Sequence, residues 1–141
     1  MEEQKNSICT GSESEDDNRI VLDLEKFSNE WTDKMSQMFY EVGVCHGGSL
    51  KIWCEYFENA HVTGVEINES SINYDILKGL EGRYTIKIGD AYDREFVKTF
   101  ENKKFDVIID DGSHRCLDQV KFIKYYFDLL TFDGVLIIED I

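Results

Sequence analysis

The sequence predicts an α/β fold, in which helices cover both faces of a parallel β-sheet. Two observations support this prediction. From residue 39 onward, short apolar runs alternate with segments of helical periodicity, five times in succession. The chain has 141 residues and is 42% hydrophobic, which is enough for one domain with a core of its own.

Five short apolar runs are the strand candidates. They are rich in Val, Ile, Phe and Tyr, as buried strands usually are. Their positions are 39–44, 62–67, 84–88, 105–110 and 134–140. In a parallel sheet of this kind, ligands bind beyond the carboxyl ends of the strands, where the strand order reverses. Polar residues at those ends are therefore the candidate functional residues.

The segments between the strands have helical periodicity. We predict helices over 49–58, 69–80, 93–102 and 116–130. In the last of these, five apolar residues lie on one helix face: Leu117, Val120, Ile123, Phe127 and Leu130. Ahead of the first strand, apolar residues at steps of three or four predict a further amphipathic helix, with Leu24, Phe27, Trp31, Met35 and Met38 on its apolar stripe.

The first 18 residues are acidic and almost devoid of apolar side chains. We predict a disordered acidic tail over 1–18, followed by a single domain over 19–141. The whole chain has 29 acidic and 15 basic residues, for a formal net charge of −14. A surface this negative repels phosphate backbones, so nucleic acid is not an expected partner.

No apolar run approaches the length of a membrane span, and the N-terminus lacks the pattern of a signal peptide. The cysteines show no CxxC spacing and no disulfide-scaffold rhythm, and we interpret all four as reduced thiols: Cys9, Cys45, Cys54 and Cys116. These features predict a cytoplasmic protein without membrane association.

A glycine-rich turn, EVGVCHGGS, follows the first strand and contains Glu41, Gly43, Gly47 and Ser49. Glycines let a backbone turn tightly and approach a ligand closely at the start of a helix. The pattern fits a dinucleotide or another nucleoside ligand. Cys45 stands where a dinucleotide fingerprint has its middle glycine, which argues against a pyrophosphate. A plain strand-to-helix turn remains an alternative.

Two further strand ends carry candidate nucleoside contacts. Glu66 closes the second strand about twenty residues beyond the turn, where a carboxylate commonly accepts hydrogen bonds from ribose hydroxyls. Asp90 and Ala91 follow the third strand, and an acid there could receive an adenine amino group. The alternative for both acids is a solvated position at a strand end.

The fourth and fifth strands end in acids. Asp110, Asp111 and His114 follow the fourth, and Glu139 and Asp140 follow the fifth. Neighbouring strands lie ~5 Å apart, so at least three carboxylates should converge. Carboxylates that close repel unless a cation or proton lies among them, and all-oxygen ligands suit Mg²⁺. His114 is then a candidate general base; a solvated loop rim with a turn histidine is the alternative.

Together the motifs EVGVCHGGSLKIWCEYF, VTGVEIN, IKIGDAYD, FDVIIDDGSH and GVLIIEDI resemble the S-adenosylmethionine-dependent methyltransferases of the Rossmann-like class. Over residues 39–141 the chain is more narrowly similar to the metal-dependent sugar O-methyltransferases of macrolide pathways and to cephalosporin hydroxylase-like proteins. The pairing of DDGSH with IED carries most of this resemblance.

The resemblance implies a role for each candidate residue. Those contacting S-adenosylmethionine would be Glu41, Gly43, Gly47, Ser49, Glu66, Asp90, Ala91 and Asp110. Asp111, Glu139 and Asp140 would be the Mg²⁺ ligands, with His114 as general base. The implied activity is O-methylation of a small hydroxylated or sugar-bearing substrate. The alternatives are a non-catalytic nucleoside-binding module and an NAD-dependent oxidoreductase.

The chain also departs from the family. The family usually has Pro-Gly-Gly before its fifth strand, where this sequence has Thr131, Phe132, Asp133 and Gly134. The sequence ends at the fifth strand, which predicts a C-terminally short domain. An exposed apolar edge on that strand is a template for pairing, so we also expect self-association.

Overall fold

The computed structural model describes residues 37–141, which lie within one compact unit, Met35–Ile141. The predicted acidic tail and most of the predicted N-terminal helix lie outside the described residues. Met38, expected at the end of that helix, instead lies in the first strand. Its backbone N–H donates to the Asp106 carboxylate at 2.9 Å, which fixes it to a neighbouring strand.

Five parallel strands form one sheet in the order β3-β2-β1-β4-β5. The strands are β1 (Gln37–Val42), β2 (Ala60–Glu66), β3 (Tyr84–Ile88), β4 (Phe105–Asp110) and β5 (Leu130–Ile138). The strand order reverses at β1. The chain adds β2 and then β3 on one side of β1, and then β4 and β5 on the other side. This topology confirms the predicted Rossmann-like α/β class and puts the crevice between the ends of β1 and β4.

The predicted bounds of β3 and β4 match the structure at both ends. β4 is buried at every position, as expected for a central strand of a parallel sheet. β5 begins four residues earlier than predicted, and its pairing with β4 is irregular between Phe105 and Val107. Thr131–Gly134, the segment that departs from the family pattern, is thus part of a strand.

Three α-helices connect the strands: α1 (Gly48–Tyr56), α2 (Arg94–Lys98) and α3 (Cys116–Tyr126). The helix predicted over 69–80 is wrong, because two short 3₁₀ turns, Glu69–Ser71 and Tyr74–Leu77, occupy that segment. The side chains of Asn68 and Asn73 each accept a backbone N–H two residues on. Such local bonds compete with continuous helix formation.

The apolar face predicted for α3 is not the face that packs on the sheet. Leu117, Val120, Ile123 and Phe127 are all exposed, whereas Phe122 and Tyr126 are buried. The Tyr126 ring contacts Phe122 and Tyr40 of β1, with ring centroids 4.7 and 5.1 Å apart. Bulky aromatic contacts therefore decide which face of the helix is buried.

Cys54 and Cys116 are free thiols, as predicted. The same prediction is wrong for Cys45, which is disulfide-bonded; sequence spacing alone does not reveal which cysteines pair. The helices within residues 37–141 are too short and too polar to cross a lipid bilayer.

Candidate functional site

The residues that follow the strands are held together at one edge of the sheet. The Asp111 N–H donates to the Val42 carbonyl at 3.0 Å, and the Glu139 N–H donates to the Asp110 carbonyl at 2.9 Å. On the other side of β1, the Gly43 N–H donates to the Val65 carbonyl at 2.9 Å. These bonds join the backbone at the ends of β1, β2, β4 and β5, so the prediction that the strand ends meet at one edge of the sheet is confirmed for the backbone.

The glycine turn, residues 43–49, requires glycine where it passes β4. Gly43 has a φ of 89°, and a Cβ there would lie 2.1 Å from the Asp111 carbonyl oxygen. Gly47 has a φ of 94° and caps the N-terminus of α1. Cys45 also has left-handed backbone, with a φ of 50°. The turn is thus tightly wound, with its backbone close to the acids beyond β4.

Glu66 holds the glycine turn and its own loop in place. Its Oε2 accepts the Cys45 N–H at 2.8 Å, and its Oε1 accepts those of Ile67 at 2.9 Å and Asn68 at 3.0 Å. Hydrogen bonds from backbone N–H groups stabilise an ionised carboxylate. A carboxylate offers about four lone-pair positions, so this geometry leaves capacity for a ligand hydroxyl.

The loop after β3 is fixed by a different set of contacts. The Asp90 carboxylate accepts the Tyr92 N–H at 2.8 Å and lies at an exposed position. The Ala91 carbonyl accepts the buried Tyr126 hydroxyl at 2.9 Å. We call the glycine turn and the sheet edge at the ends of β2 and β3 the nucleoside side. This edge is lined by Glu66, Asp90 and Ala91.

Glu41 of β1 is a buried carboxylate beneath the turn. Its Oε1 accepts the indole N–H of Trp53 at 3.2 Å, whereas Oε2 is buried with no hydrogen bond among the described residues. Burial raises the pKa of Glu41 to about 8. Hydrogen bonds with Ser49 and Trp53 lower this pKa, and the negative charges of Asp111 and Glu139 raise it. Four side chains, two from α1 and one each from the segments after β4 and β5, thus influence one carboxyl.

An acidic cluster lies on the other side of β1, formed by Asp111, His114 and Asp140. Of the three predicted Mg²⁺ ligands it brings together Asp111 and Asp140, whereas Glu139 is not among the converging groups. The His114 Nε2 lies 3.8 Å from an oxygen of Asp111 and 3.8 Å from one of Asp140. One ligand atom from each of these three residues lies within 4.8 Å of the others. His114 and Asp140 have φ values of 56° and 55°. Left-handed backbone at non-glycine residues is strained and concentrates at functional sites.

Asp110 lies at the end of β4 and is almost fully buried. Its Oδ1 accepts the Tyr92 hydroxyl at 2.6 Å and the Gly112 N–H at 3.2 Å. Burial raises the pKa of Asp110 against these hydrogen bonds. Its Oδ2 and the Nδ1 of His114 are both buried without a hydrogen bond in the described part of the chain. Asp110 therefore lies below the crevice, where its carboxylate supports the following turn.

The donor set of the acidic cluster fits a hard divalent cation. Carboxylate oxygens are the preferred ligands of Mg²⁺. Burial is the main cause of the raised pKa of Glu41, and the negative charges of Asp111 and Glu139 add to it. A cation at this position would offset those charges. The sequence did not identify Trp53 or Tyr92 as site residues. An aromatic residue gives no spacing signal for a hydrogen bond to a carboxylate elsewhere in the fold.

Comparison with known proteins agrees with this geometry. Residues 40–141 match the family model described as a methyltransferase domain. The chain is 34% identical over 98 residues to 8-demethyl-8-(2-methoxy-alpha-L-rhamnosyl)-tetracenomycin-C 3'-O-methyltransferase of Streptomyces olivaceus, covering 67% of this chain and 23% of the relative. It is 32% identical over 96 residues to mycinamicin VI 2''-O-methyltransferase of Micromonospora griseorubida, again covering 67% of this chain and 23% of the relative.

Solved structures give the same result. The MycE methyltransferase of the mycinamycin biosynthetic pathway, in complex with Mg and SAH, superposes with a TM-score of 0.68 at 25% identity. The match covers 82% of this chain and 31% of that structure. The chain therefore spans less than a quarter of the length of the curated relatives described above. Within that span, the matched residues include the glycine turn, Glu66 and the acidic cluster, and the chain belongs to the methyltransferase domain family.

Proposed function

We propose that the protein is an S-adenosylmethionine-dependent, Mg²⁺-assisted O-methyltransferase that acts on a small hydroxylated or sugar-bearing substrate. One observation carries this proposal. The glycine turn and Glu66 share a sheet edge with the acidic cluster, and the imidazole of His114 lies within that cluster. A nucleoside crevice beside a metal-ligand set is the arrangement that metal-assisted methyl transfer requires.

The nucleoside side would hold the cofactor. Glu66 has remaining acceptor capacity for ribose hydroxyls, and the methionine portion would lie along the glycine turn, which Gly43 lets pass close to the Asp111 backbone. The buried Oε2 of Glu41 suits a positively charged group, such as the α-amino group of S-adenosylmethionine. Gly47 and Ser49 would complete this end of the pocket. Asp90 and Ala91 would lie near the adenine, whereas the buried Asp110 would act indirectly, by supporting the turn that follows β4.

Asp111 and Asp140 of the acidic cluster would hold the metal. Glu139, which precedes Asp140 in the sequence, would be the third ligand. When bound, S-adenosylmethionine would supply an electrophilic methyl group, and Mg²⁺ would lower the pKa of an acceptor hydroxyl. The chain's own carboxylates set the position of that hydroxyl relative to the methyl group. Alignment of the reacting atoms is a large part of the rate enhancement in such a transfer.

His114 would act as the general base. Its Nε2 would take the proton that the acceptor hydroxyl releases when its oxygen receives the methyl group. That nitrogen lies 3.8 Å from an oxygen of Asp111 and 3.8 Å from one of Asp140, the proposed metal ligands, which supports a place for it beside the acceptor. Its position also fits a metal ligand, but the preference of Mg²⁺ for oxygen favours the base role.

Two relatives support the acceptor class. Their names describe methyl transfer to a rhamnosylated tetracenomycin and to mycinamicin VI. We infer that this chain takes a hydroxyl of a comparable small glycosylated or polyhydroxy compound. The formal net charge of −14 supports a small-molecule substrate over nucleic acid.

The other classes fit the site less well. An NAD-dependent oxidoreductase would require close approach of a pyrophosphate, and the middle one of the three left-handed residues in the turn is Cys45 instead of glycine. A non-catalytic nucleoside-binding module would not require the three ligand atoms that converge from Asp111, His114 and Asp140. These observations favour the enzyme.

A radiolabel assay tests the proposal. Tritiated S-adenosylmethionine would be incubated with the chain and neutral rhamnosides, in Mg²⁺ or in EDTA. We expect label transfer to a hydroxyl that EDTA abolishes. Equal transfer in EDTA would contradict the metal role, and cofactor binding without any transfer would favour the non-catalytic alternative.

Two further expectations concern assembly and location. β5 is an edge strand of the described sheet, which supports self-association through that edge. Light scattering over a concentration series tests this, and a monodisperse monomer would contradict it. A cytoplasmic location stays a prediction of the sequence, and cell fractionation would test it.

A further inference from the structure

The side chain of Tyr92 joins the two sides of the candidate site. Tyr92 directly follows Asp90 and Ala91 in the loop after β3. Its hydroxyl donates to Asp110 Oδ1 at 2.6 Å and accepts the Ser113 N–H at 3.0 Å. One residue therefore has its backbone in the nucleoside side and its hydroxyl inside the turn that carries Asp111 and His114.

That turn is built around the hydroxyl. A Cβ on Gly112 would lie 2.2 Å from the Tyr92 oxygen, so the turn approaches the tyrosine too closely for any side chain at position 112. The Gly112 N–H shares the Asp110 oxygen to which Tyr92 donates. His114, two residues on, has strained left-handed backbone that its surroundings must hold in place.

The other end of Tyr92 is anchored as well. Its N–H donates to the Asp90 carboxylate at 2.8 Å, and the neighbouring Ala91 carbonyl accepts the Tyr126 hydroxyl at 2.9 Å. The Tyr126 hydroxyl also lies 3.0 Å from that of Tyr40, deeper in the core. Burial, and then the bond to Asp110, raise the pKa of Tyr92, so its hydroxyl stays a donor across the accessible pH range.

We propose that Tyr92 is a positioning residue that couples the binding of Mg²⁺ to the binding of the cofactor. This inference rests on the proposed function. The hydroxyl fixes the Asp111–His114 turn relative to the Asp90–Ala91 loop, so a ligand that orders one segment also orders the other. Coupling of this kind is reciprocal: Mg²⁺ should strengthen cofactor binding by the same factor by which the cofactor strengthens Mg²⁺ binding.

Calorimetric titration of SAH with and without Mg²⁺ tests the coupling. We expect wild-type protein to bind SAH more tightly in Mg²⁺. In Tyr92→Phe the ratio of the two affinities should fall towards one, a loss of about 3- to 10-fold, which is the scale of one or two hydrogen bonds. An unchanged ratio in a folded Tyr92→Phe variant would overturn the inference.

Tyr40→Phe is the matched control. It also removes a buried tyrosine hydroxyl, from the same network, but that hydroxyl contacts neither the turn nor the loop. A purely structural role for Tyr92 predicts similar losses of melting temperature in both variants and the same affinity ratio. Positioning predicts that Tyr40→Phe keeps the wild-type ratio.

Gly112→Ala gives a second variant with the tyrosine intact. The added Cβ should displace the hydroxyl and reduce the affinity ratio as Tyr92→Phe does, and the double variant should lose less than the sum of the two. Full additivity would overturn the inference. Wild-type protein that binds SAH and Mg²⁺ independently would also overturn it, whereas wild-type protein that binds neither would overturn the proposed function itself.

Discussion

Carboxylates on the two sides of β1 are in opposite electrostatic situations. On the nucleoside side, Glu66 accepts three backbone N–H groups, which fix the direction of its carboxylate. In the acidic cluster, Asp111 and Asp140 both lie 3.8 Å from one imidazole nitrogen. The charges of Asp111 and Glu139 also add to the effect of burial in raising the pKa of Glu41. The first side is organised before any ligand binds, and the second contains repulsion that a cation would reduce.

This difference predicts what each side binds. A carboxylate held by N–H groups keeps a fixed direction for neutral hydroxyls, which suits a ribose. Crowded carboxylates bind a divalent cation because the ion removes their mutual repulsion. Variants on the two sides should therefore differ in kind: changes on the nucleoside side should affect cofactor affinity, and changes in the cluster should affect metal response and turnover.

The largest effect should come from His114→Ala. We expect methyl transfer to slow by about 10²- to 10⁴-fold, the usual contribution of a general base, while the affinities for SAH and Mg²⁺ stay close to those of wild type. Steady-state kinetics and calorimetry measure these quantities. His61→Ala is the control, because His61 lies near the start of β2, where it contacts Thr85 at 2.8 Å. Loss of Mg²⁺ affinity in the His114 variant would make His114 a ligand.

Glu66→Ala should weaken S-adenosylmethionine binding by about 1.5–3 kcal/mol, the scale of lost hydrogen bonds to a charged group. Part of this loss should come from freeing the Cys45 N–H, since that contact fixes the glycine turn. Calorimetric titration gives the dissociation constant, with Glu58→Ala as an exposed acidic control beyond α1. An unchanged dissociation constant in folded protein would exclude Glu66 from the ribose site.

Asp140→Asn should change the melting temperature in two ways. Without Mg²⁺ we expect a rise of about 2–4 °C, because one of the crowded charges is removed and asparagine tolerates the φ of 55°. With Mg²⁺ we expect less stabilisation than in wild type, since the ion stabilises by binding the folded state.

Asp128→Asn is the control for this variant, because Asp128 is an exposed acid outside the cluster. Its melting temperature should respond to Mg²⁺ as wild type does. If wild-type and Asp140→Asn proteins respond equally to Mg²⁺, Asp140 does not bind the ion.

The smallest effect should be a pH dependence that originates at Glu41. Its pKa is raised from 4.5 to about 8, so the folded protein keeps a proton that the unfolded chain releases. The resulting stabilisation is complete below pH 4.5 and is lost as the pH rises through 8. Urea unfolding without Mg²⁺ measures the free energy of unfolding. Over this pH window it should decrease less steeply in Glu41→Gln than in wild type. Asp110, whose pKa is also raised, should contribute a residual decrease.

Added Mg²⁺ should make the free energy of unfolding of wild type decrease less with rising pH, since the ion offsets the charges of Asp111 and Glu139. Glu58→Gln is again the control and should follow wild type. Identical pH profiles for wild type and Glu41→Gln would show that Glu41 does not hold the proton.

The sequence predicted the features that depend on strand pattern. The apolar runs at 84–88 and 105–110 are strands with the predicted bounds, and parallel topology brings the acids after β4 and β5 together. The sequence prediction failed where individual side-chain contacts, local or distant in the chain, override the pattern of apolar residues. Asn68 and Asn73 divide the helix predicted over 69–80, and contacts with Tyr40 decide which face of α3 is buried. The pairing of Tyr92 with Asp110 spans 18 residues and leaves no periodic signal.

The assignment of the cofactor is best tested by calorimetric titration of the whole chain with S-adenosylmethionine, in Mg²⁺ and in EDTA, with NAD⁺ titrated in parallel. We expect one S-adenosylmethionine site per chain, occupied in both conditions because the nucleoside side is organised without metal, and tighter in Mg²⁺. We expect no binding of NAD⁺. Folded protein that binds NAD⁺, or that leaves S-adenosylmethionine unbound in both conditions, would contradict the assignment.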